Sequence, residues 1–145
     1  MATVSTYLTF TGKCEEAFLF YKSILGGEFS SFSRFGEMPA GSGPAMPDED
    51  KAMVMHVSLP VGNSVLMGSD TGSQWAPNHK AGNNFSVSVN ADSQEQADAI
   101  FNGLSAGGQV MMPMSNTFWG AYFGMFTDKF GINWMVNYDL PTVQG

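Results

Sequence analysis

Lys13-Cys14-Glu15-Glu16-Ala17-Phe18-Leu19-Phe20-Tyr21-Lys22-Ser23-Ile24-Leu25-Gly26-Gly27 is the stretch from which the fold can be read. Cys14, Ala17, Phe18, Tyr21, Ile24 and Leu25 recur three and four residues apart, which puts them on one face of a helix. Glu15 and Glu16 stand in its first turn and Lys22 near its last, where the helix dipole favours them. Gly26-Gly27 ends it. Residues 93–108 repeat the plan. Ser93 with Gln96 three residues on makes a capping box, Ala97, Ile100, Phe101 and Leu104 make the buried stripe, and Gly107-Gly108 is the stop.

Outward from each helix the same elements follow in the same order. Residues 4–11 read as a strand before the first helix, and residues 29–35, 52–59 and 64–69 as strands after it. Pro60-Val61-Gly62-Asn63 joins the last two as a hairpin. Residues 37–50 form a loop rich in Gly, Pro and acid. In the second copy the strands are 84–91, 109–114, 119–127 and 133–138, the last pair joined across Asp128-Lys129-Phe130-Gly131. We therefore expect one α+β domain over 1–145. It consists of two tandem βαβββ modules (4–70 and 83–139) and a polar linker at 71–82. The modules form curved antiparallel sheets with helices outside, and a ligand would sit in the cleft on the concave face, at the seam between the copies.

Composition narrows the function. With 145 residues, 43% apolar and 17 of them glycine, the chain suits a single core built from short strands and tight turns. A net charge of −7 argues against nucleic acid and against an anionic membrane surface. No apolar run approaches the ~20 residues that span a bilayer. Cys14 is the single cysteine, which excludes an internal disulfide and suggests a reducing compartment. The N-terminal residues have neither a basic segment nor an apolar signal core, and we expect a cytoplasmic protein.

The helix ending Ala17-x-x-Phe20-Tyr21-x-x-x-Leu25-Gly26-Gly27 resembles a stretch of the vicinal oxygen chelate superfamily, which includes glyoxalase I, bleomycin resistance proteins and extradiol dioxygenases. Asp128-Lys129-Phe130-Gly131-Ile132-Asn133-Trp134 is similar to that superfamily's last hairpin. Phe35-Gly36-Glu37-Met38-Pro39, Val65-Leu66-Met67-Gly68-Ser69-Asp70 and Thr117-Phe118-Trp119-Gly120 resemble the PhnB-like branch, some members of which carry the label 3-demethylubiquinone-9 3-methyltransferase. The resemblance implies a glyoxalase/bleomycin resistance-like fold, a homodimer, and metal-ligand positions that fall on Thr6, Asn84 and Met135, with a fourth near Met67. None of these is a histidine or a carboxylate, so we expect no cofactor and no metal at the usual place. A relocated divalent metal stays open.

Of the other candidates, His56 is either a general base or ligand donor in the cleft, or a half-buried strand histidine bonded to a neighbour. His79 reads as a linker residue. Cys14 is either an activated thiol near a helix N-terminus or a packed core residue. Arg34, the one arginine, with Glu37 is either a clamp for an anionic ligand or a surface pair. Asp48-Glu49-Asp50 reads as a solvated run. Trp119, Phe118, Trp75 and the strand methionines line the cleft, or fill the core or a dimer interface. The Gly-rich turn with an acidic residue downstream that marks a cofactor-binding methyltransferase is missing.

These residues give three readings: a protein that binds a small organic molecule at Thr6, Met67, Asn84, Trp119, Met135, Arg34 and Glu37 without a metal; an enzyme (lyase, isomerase or dioxygenase-like) that uses His56 or a relocated metal in the same cleft; and an assembly protein.

Overall fold

The structure, a computed structural model, describes residues 2–37, 47–72 and 76–141. The chain divides into two compact units, Met1–Lys80 and Ala81–Gly145. In the first, β1 (Thr6–Phe10), α1 (Cys14–Leu25) and β2 (Ser31–Arg34) are followed by a short helical turn at Phe35–Glu37, α2 (Asp48–Lys51), β3 (Val54–Val61) and β4 (Ser64–Asp70). In the second, β5 (Val87–Asn90), α3 (Gln94–Ser105), β6 (Gln109–Asn116), β7 (Ala121–Thr127) and β8 (Asn133–Asp139) follow one another. The strand orders are β1-β4-β3-β2 and β5-β8-β7-β6, so both units wind the same way. The architecture is α+β with two similar βαβββ modules. Most of the loop expected at 37–50, and Trp75, lie outside the described residues.

The sheets are mixed. β2–β3, β3–β4, β6–β7 and β7–β8 pair antiparallel as expected, whereas β1–β4 and β5–β8 are parallel. The cause is the helix. It carries the chain from the end of one strand back to the start of the next, so β1 and β2 run the same way, and the hairpins then leave β4 parallel to β1.

Each helix covers one face of its own sheet. In α1 the residues Cys14, Ala17, Phe18 and Tyr21 are fully buried, against Leu8 and Phe10 of β1 and Val57 and Leu59 of β3. Gly26 takes φ +82° where the helix ends, a conformation that costs any residue with a Cβ. In α3 the Ser93 hydroxyl accepts the Gln96 N–H at 3.0 Å, and Gln96 Oε1 accepts the Asp92 N–H at 2.6 Å. That is the capping box seen in the sequence, its return bond moved back by one residue. α1 has no local cap. Asp70, at the end of β4, does that work from a distance: its Oδ1 accepts the N–H groups of Gly12 (2.8 Å) and Cys14 (3.0 Å), and its Oδ2 accepts that of Val54 (3.0 Å).

Two glycines let the helices approach. A Cβ on Gly68 of β4 would lie 2.6 Å from Phe18 Cε1 and 2.9 Å from the Leu8 carbonyl oxygen. One on Gly124 of β7 would lie 2.7 Å from Phe101 Cε2 and from Met114 Sδ. One expectation is corrected. Within the helical turn Asp48–Lys51, Asp48 and Glu49 are exposed as expected, but Asp50 is buried at 3% exposure.

Candidate functional site

The faces of the two sheets turned away from their helices carry the side chains that core packing does not use. Strand alternation and register define both sets. In the first unit Tyr7 stands opposite Met67, Met67 opposite Ser58, and Ser58 opposite Ser31. Thr9 stands beside Ser69, and His56 beside Ser33. His56 shares its face with Ser58 by plain strand alternation, and an irregularity follows on its N-terminal side. Ser33 pairs with His56 and Arg34 with Val54, so Met55 is skipped. The bulge reverses the parity of β3. Val54 is thereby sent into the core with Val57, while His56 stays on the far face with Ser58. There His56 Nε2 lies 2.9 Å from Ser58 Oγ, and the Tyr7 ring lies 5.9 Å from the imidazole at a tilt of 31°. Among the described residues this face is rich in hydroxyls and carries no carboxylate.

The far face of the second sheet is different. Met112, Met125, Met135 and Ser88 form one row across four strands, and Ser115, Phe123, Asn137 and Asn90 form the next. Trp119 stands edge-on to Phe123 at 6.1 Å, and Phe118 edge-on to Trp119 at 5.1 Å. Phe118 is 97% exposed, Trp119 59% and Met112 43%. At the end of β8 the Asn137 amide donates to Asn90 Oδ1 (3.2 Å) and to Asp139 Oδ1 (3.1 Å). The opposite end opens into a shallow depression of ≈ 450 Å³ bordered by Ala81, Gly82, Asn83, Thr127, Gly131 and Asn133.

The expected site residues fall into two groups. His56 and Met67 share the far face of the first sheet, and Met135 shares that of the second with the aromatic pair that includes Trp119. Thr6 pairs with Leu66 and lies on the helix side with Leu8 and Phe10, so Tyr7 holds the far-face position on β1. Asn84 is exposed and precedes β5. Arg34 lies on the helix side, where it grips Glu15 with both terminal nitrogens (3.0 and 2.7 Å) and donates to the Ala52 carbonyl at 2.8 Å. The hydrogen bond from Arg34 holds the Glu15 carboxyl below its usual range. Glu37 accepts the backbone N–H of Arg34 at 3.1 Å. Arg34 is thus engaged by α1 through Glu15. Cys14 is fully buried, and burial, with the Asp70 and Glu15 charges, pushes its thiol well up. It is a packed core residue. Tyr7, Ser58, Phe123 and Asn137 were not singled out by sequence reasoning. Counting every second residue along the strands would have found them.

The donors on these faces do not suit a divalent metal. Their hydroxyls, amides and thioethers are joined by one imidazole on the first sheet and one carboxylate on the second. Thioethers do not select Mn, Fe, Ni or Zn at a site of this kind. The buried Asp128 is engaged by its own hairpin: its Oδ1 accepts the N–H groups of Phe130 and Ile132, and its Oδ2 that of the Trp134 indole at 2.8 Å. Among the described residues no three His, Cys, Asp or Glu side chains come together as a metal cluster. No helix among them is long and apolar enough to cross a membrane.

Residues 2–137 match the family model described as 3-demethylubiquinone-9 3-methyltransferase. Protein YjdN of Escherichia coli K12 is 33% identical over 144 residues, covering 92% of this chain and 93% of that protein. Among solved structures, protein PA1353 of Pseudomonas aeruginosa is 41% identical with a TM-score of 0.82, over 97% of this chain and 100% of that one. A PhnB protein from Bacillus cereus is 27% identical with a TM-score of 0.73, over 94% and 99%. The fold is shared with a glyoxalase/bleomycin resistance protein/dioxygenase family enzyme from Burkholderia phytofirmans, at 15% identity and a TM-score of 0.61 over 93% and 98%.

Proposed function

Since this chain belongs to the 3-demethylubiquinone-9 3-methyltransferase family, on its PhnB-like branch, we propose that it binds a small organic molecule on the far face of its second sheet and does so without a divalent metal. One observation carries the reading: the Met112–Met125–Met135 row with Phe123 and Trp119 beside it. Thioethers are soft and adaptable, and aromatic rings fix orientation, so together they suit a flat, largely apolar molecule. Ser88, Asn90 and Asn137 border that surface and supply hydrogen bonds to its rim.

Methyl transfer receives no support from the loops. The connections from β1 to α1 and from β5 to α3 are Thr11-Gly12-Lys13 and Ala91-Asp92-Ser93, neither of which is a Gly-rich turn that would cradle a nucleoside cofactor.

A thermal-shift screen of planar compounds, run with elemental analysis of the same preparation, tests the proposal. A ligand present at about a hundred times its Kd stabilises the fold by roughly 2.7 kcal/mol, which raises Tm by about 5–10 °C. The gain is expected with less than stoichiometric metal, and it is expected to be lost in Met125→Glu. A stoichiometric metal on which binding depends would overturn the reading, as would a library in which nothing shifts Tm.

We also take the protein to be a cytoplasmic homodimer. Support comes from β6, an edge strand that exposes Val110, Met111 and Met112. Light scattering at micromolar concentration should give twice 15.6 kDa, and a 15.6 kDa species would contradict it.

A further inference from the structure

The second unit holds five carboxylates and a single Lys or Arg, Lys129. Lys129 lies in the β7–β8 turn, beside Gly107 and over the Phe130 ring. The Trp119 end of the far face is at the other end of that hairpin, where Ala121 pairs with Asp139 and the Leu140 N–H reaches the Gly120 carbonyl. Six strand steps, about 20 Å, separate the two ends. So no cationic side chain of this unit reaches the surface that Trp119 and Phe123 border. An exposed carboxylate, Asp139, does stand there, and among the described residues it forms no ion pair.

From this juxtaposition we propose that the far face of the second sheet selects an aromatic organic cation, takes its uncharged counterpart more weakly and rejects its anion. The inference rests on the reading of this face as a ligand site. Aromatic rings attract a cation through their negative faces, and Asp139 adds charge attraction at the same end. An anion would have to leave water for a surface with no cation of its own unit to pair with, at a cost the thioethers cannot offset.

The test uses a matched series, N-methylquinolinium, quinoline and quinoline carboxylate, titrated at neutral pH into full-length protein carrying ¹³C-methyl methionine. The signals of Met112, Met125 and Met135 report binding at this face. The cation is expected to bind roughly fivefold tighter than quinoline, and the carboxylate to give no saturable shift. Asp139→Asn should reduce the advantage of the cation while leaving quinoline binding unchanged. If the carboxylate binds as tightly as quinoline, the selectivity is overturned and the site reading stands. If Asp139→Asn leaves the gap intact, the role of Asp139 is overturned. If none of the three perturbs these methionines, the site reading itself fails.

Discussion

Asp70→Ala will cost the protein about 4 kcal/mol or more, a large share of the 5–15 kcal/mol that holds a domain of this kind together. Asp70 is 4% exposed, and its two oxygens accept three backbone N–H groups, from Gly12, Cys14 and Val54. Removal of the carboxylate strands those donors, at about 1–3 kcal/mol for each buried one. Both the start of α1 and the start of β3 lose their anchor. Asp70→Asn should fall between Ala and the native protein. Its amide oxygen can still accept from Gly12 and Cys14, but its NH₂ then faces the Val54 N–H, donor against donor. Urea unfolding followed by far-UV circular dichroism will show the order. An alanine variant within ~1 kcal/mol of native stability would mean that water or a neighbour replaces the carboxylate.

The second large effect is a methyl group added where helix and sheet nearly touch. Gly68→Ala should destabilise by about 3 kcal/mol and Gly124→Ala by about 1–2 kcal/mol, since overpacking forces side chains or backbone to move. The order follows from what the new Cβ meets. At Gly68 it meets the Phe18 ring at 2.6 Å and the Leu8 carbonyl oxygen at 2.9 Å. The carbonyl belongs to the β1–β4 ladder and cannot retreat without breaking it. At Gly124 the two nearest atoms are side-chain ends, Phe101 Cε2 and Met114 Sδ, of which the thioether can swing aside, and the backbone oxygen it meets, of Met112, is farther off at 3.1 Å. Phe18→Leu combined with Gly68→Ala should recover part of the loss. If Gly124→Ala proves the costlier change, backbone rather than side-chain relief governs these contacts.

Much of the fold is legible in local sequence. The three-and-four spacing of α1, the Ser93 cap of α3 and the Asp128–Gly131 turn each depend on residues a few positions apart, and the structure has them; the first hairpin is there too, turning at Gly62-Asn63 with Pro60 and Val61 inside β3. Parallel pairing is another matter. Nothing within residues 6–10 says that Thr6 will lie beside Leu66 rather than beside β2. The candidate site depends on partners that are just as distant in sequence. A one-residue step on β1 moves the position of interest from Thr6 to Tyr7. The bulge at Met55, which turns Val54 into the core and leaves His56 on the far face, leaves no mark in the composition of β3. Glu37 is the partner that the sequence offers Arg34, whereas the side-chain pair it makes is with Glu15, on a helix nineteen residues earlier. Long-range partners decide which side chains are left over for a ligand, and a single sequence does not print them.

The strand order also sets a timetable. β1 has β4 as its neighbour in the sheet, and β5 has β8. In each unit the strand synthesised first therefore pairs with the strand synthesised last. While a ribosome makes the unit, its opening strand has no place in the ladder, and Asp70, the residue that fastens α1 to that sheet, is the closing residue of β4. The β2–β3–β4 meander can zip as it emerges; the first strand must wait for the fourth.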